Sequence, residues 1–287
     1  MPSVNPTFEI LDSLTAPGNP DRPNDDAWCV AGQLAAVIDG ATGLGGALLP
    51  GESDAAWLAH RAAERLTVRT GLGDARSALA AVAADLESDF LRERIRPPVE
   101  MYETPLASLM LLGARGDAWL DALWFGDCCA LVQRPGEALQ IVGHAFDGKT
   151  GEAQRAARHG RESGAGPAAK ANWEQMLPAL REHRNRLNQP SGRWVLAPDA
   201  RCAEMAQSAE IAAPAGTVIL LASDGFLALS SDYGRYDPAD LVAAAHEQGL
   251  APLLAELRAI EQADPDGLTY PRYKTSDDAT AVLLRVL

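Results

Sequence analysis

Carboxylates stand beside apolar runs at four places in this 287-residue chain. Asp39 closes "LAAVID" just before the glycine-rich "GATGLGG", and Asp25 and Asp26 precede the apolar part of "RPNDDAW". Asp224 follows "VILLAS", and Asp277 and Asp278 precede "ATAVLL". Any one Asp-Gly pair read alone is ordinary turn chemistry. Four such ends brought together would be different, because clustered like charges repel and each buried carboxylate is costly unless a cation neutralises it. An all-carboxylate set suits Mg²⁺ or Mn²⁺ rather than zinc, which takes His and Cys. Two such ions would share a bridging carboxylate and activate a water.

Other chemistries fit the same residues poorly. A P-loop needs Lys and Ser/Thr after its second glycine; Gly40 and Gly45 have the glycine spacing, but Gly46 and Ala47 occupy those places. A dinucleotide fingerprint starting at Gly43 and Gly45 meets Leu48 where its third glycine belongs. His60, His144, His159, His183 and His246 form no H-E-x-x-H pairing, and no Ser, Cys or His nucleophile constellation is legible. Cys29, Cys128, Cys129 and Cys202 form no C-x-x-C and read as reduced, buried thiols.

The elements that must position the acids follow from patterning. "FEILDSL", "DAWCVAG" and "QLAAVID" read as strands, the last two joined as a hairpin that delivers Asp39. Ser53 and Asp74 are caps for two helices, the first ended by Gly71, the second with Leu79, Val82, Leu86 and Phe90 on one face. "PLASLMLLGA", "AWLDALWF", "CCALVQR" and "ALQIVG" read as an antiparallel meander. "TVILLASDGF" restores a strand, helices follow from Asp237-Pro238 to Gly249 and over about 252–263, and "DDATAVLLRVL" is a last strand. Runs of strands with segregated helix pairs predict an α+β fold with helices covering stacked sheets. Between them, about 148–193 lacks a clear period; residues 149–193 hold nine Lys or Arg against four Glu, 9 − 4 = +5, and read as an inserted basic flap.

Composition narrows the partners. A net charge of −14, from 39 acidic and 25 basic residues, disfavours nucleic acid and anionic membranes. "MPSVNPTFEI" lacks the features of a secretory leader and no apolar run approaches the roughly 20 residues of a membrane span. The expectation is a cytoplasmic chain, with no membrane partner and an oligomeric state left open.

Taken in order, the motifs resemble the metal-dependent protein phosphatases of the 2C type (PPM), as a divergent, bacterial-like member. "RPNDDAW" resembles that family's Arg and Asn-Glu-Asp opening, "AAVIDGATGLGG" its Asp-Gly strand end, and "FGDCCALV" its Gly-Asp-Ser-Arg strand; "LLASDGFLAL" and "SDDATAVLL" resemble its last two metal-ligand blocks. The resemblance spans nearly the whole chain. It implies a single PPM-type domain over 1–287 and a four-layer α/β/β/α sandwich with two mainly antiparallel sheets. It further implies that Asp39 bridges two Mn²⁺ or Mg²⁺ ions, with Asp25 and the Gly40 carbonyl on one ion and Asp224 and Asp277 on the other. Asp26 would support the site, Asp127 would be a possible partial ligand, and Arg22 would offset phosphate charge while a water between the ions attacks phosphorus.

The chain departs from the pattern at named positions. Asp25 stands for the usual Glu, Ala41 for the His that follows Asp-Gly in animal members, and Ala228 for an acid tied to a third metal. Arg22 stands one residue nearer the acids than the family's Arg usually does. The implied function is a serine/threonine phosphoprotein phosphatase acting on a phosphorylated protein. Trp173, Trp194 and the arginines of "REHRNRLNQPSGRW" would then be a substrate face. The missing His and third acid suggest an alternative, a catalytically weak pseudophosphatase serving as a regulatory binding module, and the same metals could also serve a small-molecule phosphatase.

Overall fold

The computed structural model describes residues 8–69, 74–116, 118–146, 169–272 and 274–287, with side chains of 169–175 outside the description. Among the described residues, ten strands form two five-stranded antiparallel sheets. One sheet runs β2 (Asp26–Ala31), β3 (Leu34–Gly40), β4 (Ala107–Ala114), β5 (Trp119–Phe125) and β8 (Gln207–Ala212). The other runs β1 (Phe8–Ala16), β10 (Ala279–Val286), β9 (Val218–Ala222), β6 (Cys129–Gln133) and β7 (Gln140–Gly143). The first sheet carries α1 (Asp54–Thr67) and α2 (Ala75–Glu93); the second carries α4 (Asp224–Ser231), α5 (Pro238–Gln248) and α6 (Leu250–Ala263). α3 (Ala169–Asn185) lies between β7 and β8 in the chain.

Strand alternation explains why the central strands are apolar on both faces. In β3, Ala36 and Ile38 pack under α1 and α2 with Leu58, Leu66, Leu79 and Leu86. Ala35 and Val37 turn the other way and meet Ile219, Leu221, Val282 and Leu284 of the second sheet. In β9 and β10, Leu220, Ala222, Ala281 and Leu283 face α4–α6. The expected four-layer α/β/β/α sandwich is therefore the architecture observed, and all four cysteines are buried with their thiols outside any disulfide. Among the described residues, no helix is long and apolar enough to cross a membrane.

The caps hold as expected. Ser53 accepts from the Ala56 N–H and Asp74 from the Ser77 N–H. The first helix ends earlier than Gly71, with Val68 as its cap. The expected four-strand meander is divided, with β4 and β5 in the first sheet and β6 and β7 in the second, and three further elements depart from the expectation. "TVILLASDGF" is not strand throughout: the strand stops at Ala222 and Asp224 opens a helix. Gln207–Ala212 is an additional strand, paired with β5 from Trp119↔Ala212 to Trp124↔Gln207. Within 148–193, the described part is not irregular: it forms α3, which carries Pro178 in its interior. Residues 148–168 of that stretch lie outside the described residues.

Candidate metal centre

The acids gather at one end of the space between the two sheets. Asp39 follows Val37 at two-residue spacing and so takes the inter-sheet side of β3; Asp26, its register partner on β2, shares that side with Trp28. Ser108 on β4 is the next residue across from Asp39. Its hydroxyl donates to Asp127 Oδ1 at 2.7 Å and orients the carboxylate that the β5–β6 turn carries. Asp224 arrives from the second sheet as the first residue of α4. One carboxylate oxygen from each of Asp39, Asp127 and Asp224 lies within 4.8 Å of the others, and all three side chains are half-buried.

Close backbone packing draws the remaining acids toward this group. The Gly40 N–H donates to the Asp25 carbonyl at 3.0 Å, and a Cβ at Gly40 would stand 2.5 Å from that oxygen and 2.9 Å from the Ala55 carbonyl. At Gly225 a Cβ would fall 1.9 Å from the Asp278 carbonyl. The glycines of both Asp-Gly pairs are thus required by space rather than by a positive φ. Asp278 binds two backbone N–H groups, Gly18 through Oδ1 and Asp25 through Oδ2, each at 2.7 Å. This ties the loop before β2 to the loop before β10. Ser53, the α1 cap, donates to Asp25 Oδ1.

Asp277 sits at the edge of the cluster and outside the three-acid group. Its Oδ1 accepts from Lys274 Nζ at 2.8 Å and from the Asp278 N–H at 3.0 Å. Arg258 holds the Asp277 carbonyl at 2.9 Å. Arg22 is exposed, and among the described residues its guanidinium makes no hydrogen bond or ion pair; its charge still lowers the Asp25 pKa in part. Ala41 packs with Leu106 and Leu187 in an apolar cluster. Trp194 packs against the core under α1 and α2 with Arg201 over its ring. The side chain of Trp173 lies outside the described residues.

Electrostatics show the strain of this assembly. Burial, then Asp26, Asp224, Asp127 and Asp277, hold Asp39 well above the usual carboxylate range. Burial and Asp278 raise Asp25, although the Ser53 hydrogen bond opposes them. Asp26 is 1% exposed, and burial followed by Asp278 raises its pKa to about 8. Neither Asp26 oxygen has a hydrogen-bond partner among the described residues. Ser223 and Thr280 lie near enough to lower its pKa somewhat, but their hydroxyls are engaged elsewhere, with the Thr280 backbone and with Thr15. Burial also disfavours the Lys274 ammonium, yet Asp277, then Asp39 and Asp224, outweigh it and raise the Lys274 pKa.

A divalent cation fits this donor set. Every candidate ligand is a hard oxygen, the three nearest carboxylates already lie within 4.8 Å of one another, and the buried Asp26, with no hydrogen-bond partner among the described residues, belongs to the same cluster. Two contributors escaped the sequence reading. Asp278, read as half of a pair, is a backbone clasp, and Lys274 was not singled out because one Lys in "YKTSDD" carries no periodicity. Asp127, treated only as a partial ligand, stands with Asp39 and Asp224.

No protein-family model matches the chain, and no curated protein does. Solved structures do match. The serine/threonine phosphatase PstP/Ppp of Mycobacterium tuberculosis aligns at 17% identity over 97% of this chain and 98% of its own, with a TM-score of 0.56. A PstP catalytic domain in complex with two manganese ions aligns at 18% identity over 98% of each chain, TM-score 0.55. PppA, a key regulatory component of T6SS in Pseudomonas aeruginosa, aligns at 19% identity over 98% of each chain, TM-score 0.51. At these identities the likeness establishes a shared fold, that of the PPM-type serine/threonine phosphatases.

Proposed function

We propose that the chain is a PPM-family serine/threonine phosphoprotein phosphatase that hydrolyses phosphomonoesters with two Mn²⁺ or Mg²⁺ ions, residues 1–287 forming one phosphatase domain. The observation that carries this reading is the meeting of Asp39, Asp127 and Asp224 from both sheets at one end of the sandwich. A sheet end that concentrates this much negative charge is stabilised by bound cations. Asp39 and Asp224 would hold metal, with Asp25, Asp277 and the Gly40 carbonyl completing the set and Asp127 joining it. When bound, the ions would supply Lewis acidity toward phosphate oxygens and ease the deprotonation of an attacking water.

The chain's own residues set the rest. Asp278 and Ser53 hold Asp25 in place, and Ser108 holds Asp127. Arg22, exposed and near enough for its charge to act on Asp25, would bind phosphate oxygens. Ala41 offers no proton to a leaving group, so that proton would come from solvent. The same apolar surroundings of Ala41 favour a second reading, a regulatory module that binds a phosphoprotein and turns it over slowly or not at all.

Phosphoserine and phosphothreonine peptides separate the two. With Mn²⁺ present the chain is expected to release phosphate from them, with release abolished by chelator and by Asp224→Asn. Metal-loaded protein that binds the peptides without releasing phosphate would establish the regulatory module.

A further inference from the structure

Lys274 has a place in the acid cluster that none of the metal-site residues accounts for. The segment bearing it is fixed on both sides. Arg272 donates to the Thr275 carbonyl at 3.0 Å and to Asp264 Oδ2 at 3.1 Å, while Asp264 itself accepts from the Leu268 and Tyr270 N–H groups. Beyond Lys274, Arg258 holds the Asp277 carbonyl. A tethered loop thus presents the ammonium to Asp277 rather than leaving it to wander in solvent, although the side chain is 42% exposed. Asp39 and Asp224 act on the same charge, so its field reaches the three-acid group.

We propose that Lys274 is a built-in counter-ion of the acid cluster, and that it competes with a divalent cation for Asp277. The inference rests on the metal-centre reading above. Asp277 Oδ1 already accepts two hydrogen bonds, from Lys274 and from the Asp278 N–H, which leaves Oδ2 as the lone pair source for an ion. An ion approaching Oδ2 therefore meets a fixed positive charge one carboxylate away. Two classes of site follow: one at the three-acid group, and a weaker class, opposed by the ammonium, that uses Asp277. In the metal-free chain the ammonium offsets part of the carboxylate repulsion.

Mn²⁺ titration of the full chain, followed by calorimetry and by the electron-spin signal of free Mn²⁺, tests this on wild type, Lys274→Met and Lys274→Gln. Two neutral replacements guard against one that folds poorly. Lys274→Arg keeps the charge. The weaker class is expected to tighten by about tenfold or more in both neutral variants and to stay near wild type in Lys274→Arg. Unchanged or weakened Mn²⁺ affinity in the neutral variants would overturn the proposal, including the case in which KM for a phosphopeptide rises, since Lys274 would then serve substrate rather than compete with metal. Absence of Mn²⁺ binding in every chain, wild type included, would overturn the metal-centre reading itself and the counter-ion role with it.

Discussion

Replacing Asp39 by Asn is expected to reverse sign between metal-free and metal-loaded protein. Without metal, the Asp39 carboxylate faces Asp127 and Asp224 with ligand oxygens within 4.8 Å, and Asp26 and Asp277 add to the repulsion. At an effective dielectric of about 20, a fully ionised pair at that distance repels by about 3–4 kcal/mol. Burial and the neighbouring carboxylates already disfavour the Asp39 charge, so neutral Asn relieves part of that pair energy, about 1–2 kcal/mol. For a chain of this size that is a rise in Tm of about 2–4 °C in chelator. With Mn²⁺ at a hundredfold excess over Kd, each bound ion contributes about 2.7 kcal/mol to wild type, about 5 °C per ion. The variant, lacking the bridging charge, should show little of that shift. Thermal unfolding of both proteins in chelator and in Mn²⁺ reads all four values. An Asn variant that melts below wild type in chelator and keeps the full Mn²⁺ shift would refute the reasoning.

Two further outcomes follow from the same geometry. Asp26 titrates near pH 8 in the fold against 3.8 as its ordinary value, so between these pH values the folded chain holds a proton that the unfolded chain has released. Its contribution to metal-free stability is full below about pH 4 and is lost as pH rises through about 8; urea midpoints in chelator should fall over that window, and Asp26→Asn should flatten the fall. Gly40→Ala forces a Cβ against two backbone carbonyls, those of Asp25 and Ala55, neither of which can swing aside. It should cost about 1–3 kcal/mol by urea unfolding and diminish the Mn²⁺ shift as Asp25 is displaced.

Much of this architecture was legible because β3, β9 and β10 are buried on both faces. Continuous apolar runs then stop abruptly at the acids, and an abrupt stop is easy to see. The caps at Ser53 and Asp74 were legible for a local reason, one side chain answering one backbone N–H. Elements with conflicting signals were not. α4 continues the apolar text of β9, so neither period shows, and its first turn is visible only as the close approach of Gly225 to Asp278. β8 is an edge strand whose "QSAEIA" is mostly solvent-facing, without a buried alternation to announce it. α3 carries an internal Pro178 and many charges, which hide its helical period. At the site, strand ends named Asp39 and Asp224, but the weight of Asp127 depends on the Ser108 hydroxyl across the sheet, a long-range contact that spacing does not encode. Lys274 and Asp278 likewise act through loops brought together by the fold.

The central claim is that the acids at this end of the sandwich hold divalent cations. Anomalous diffraction from crystals grown with Mn²⁺ measures it directly. The account predicts manganese peaks among Asp39, Asp127 and Asp224, the strongest at the three-acid group, with Asp26 behind them and unligated. Saturating Mn²⁺ with no peak there, or with these carboxylates turned apart, would contradict it.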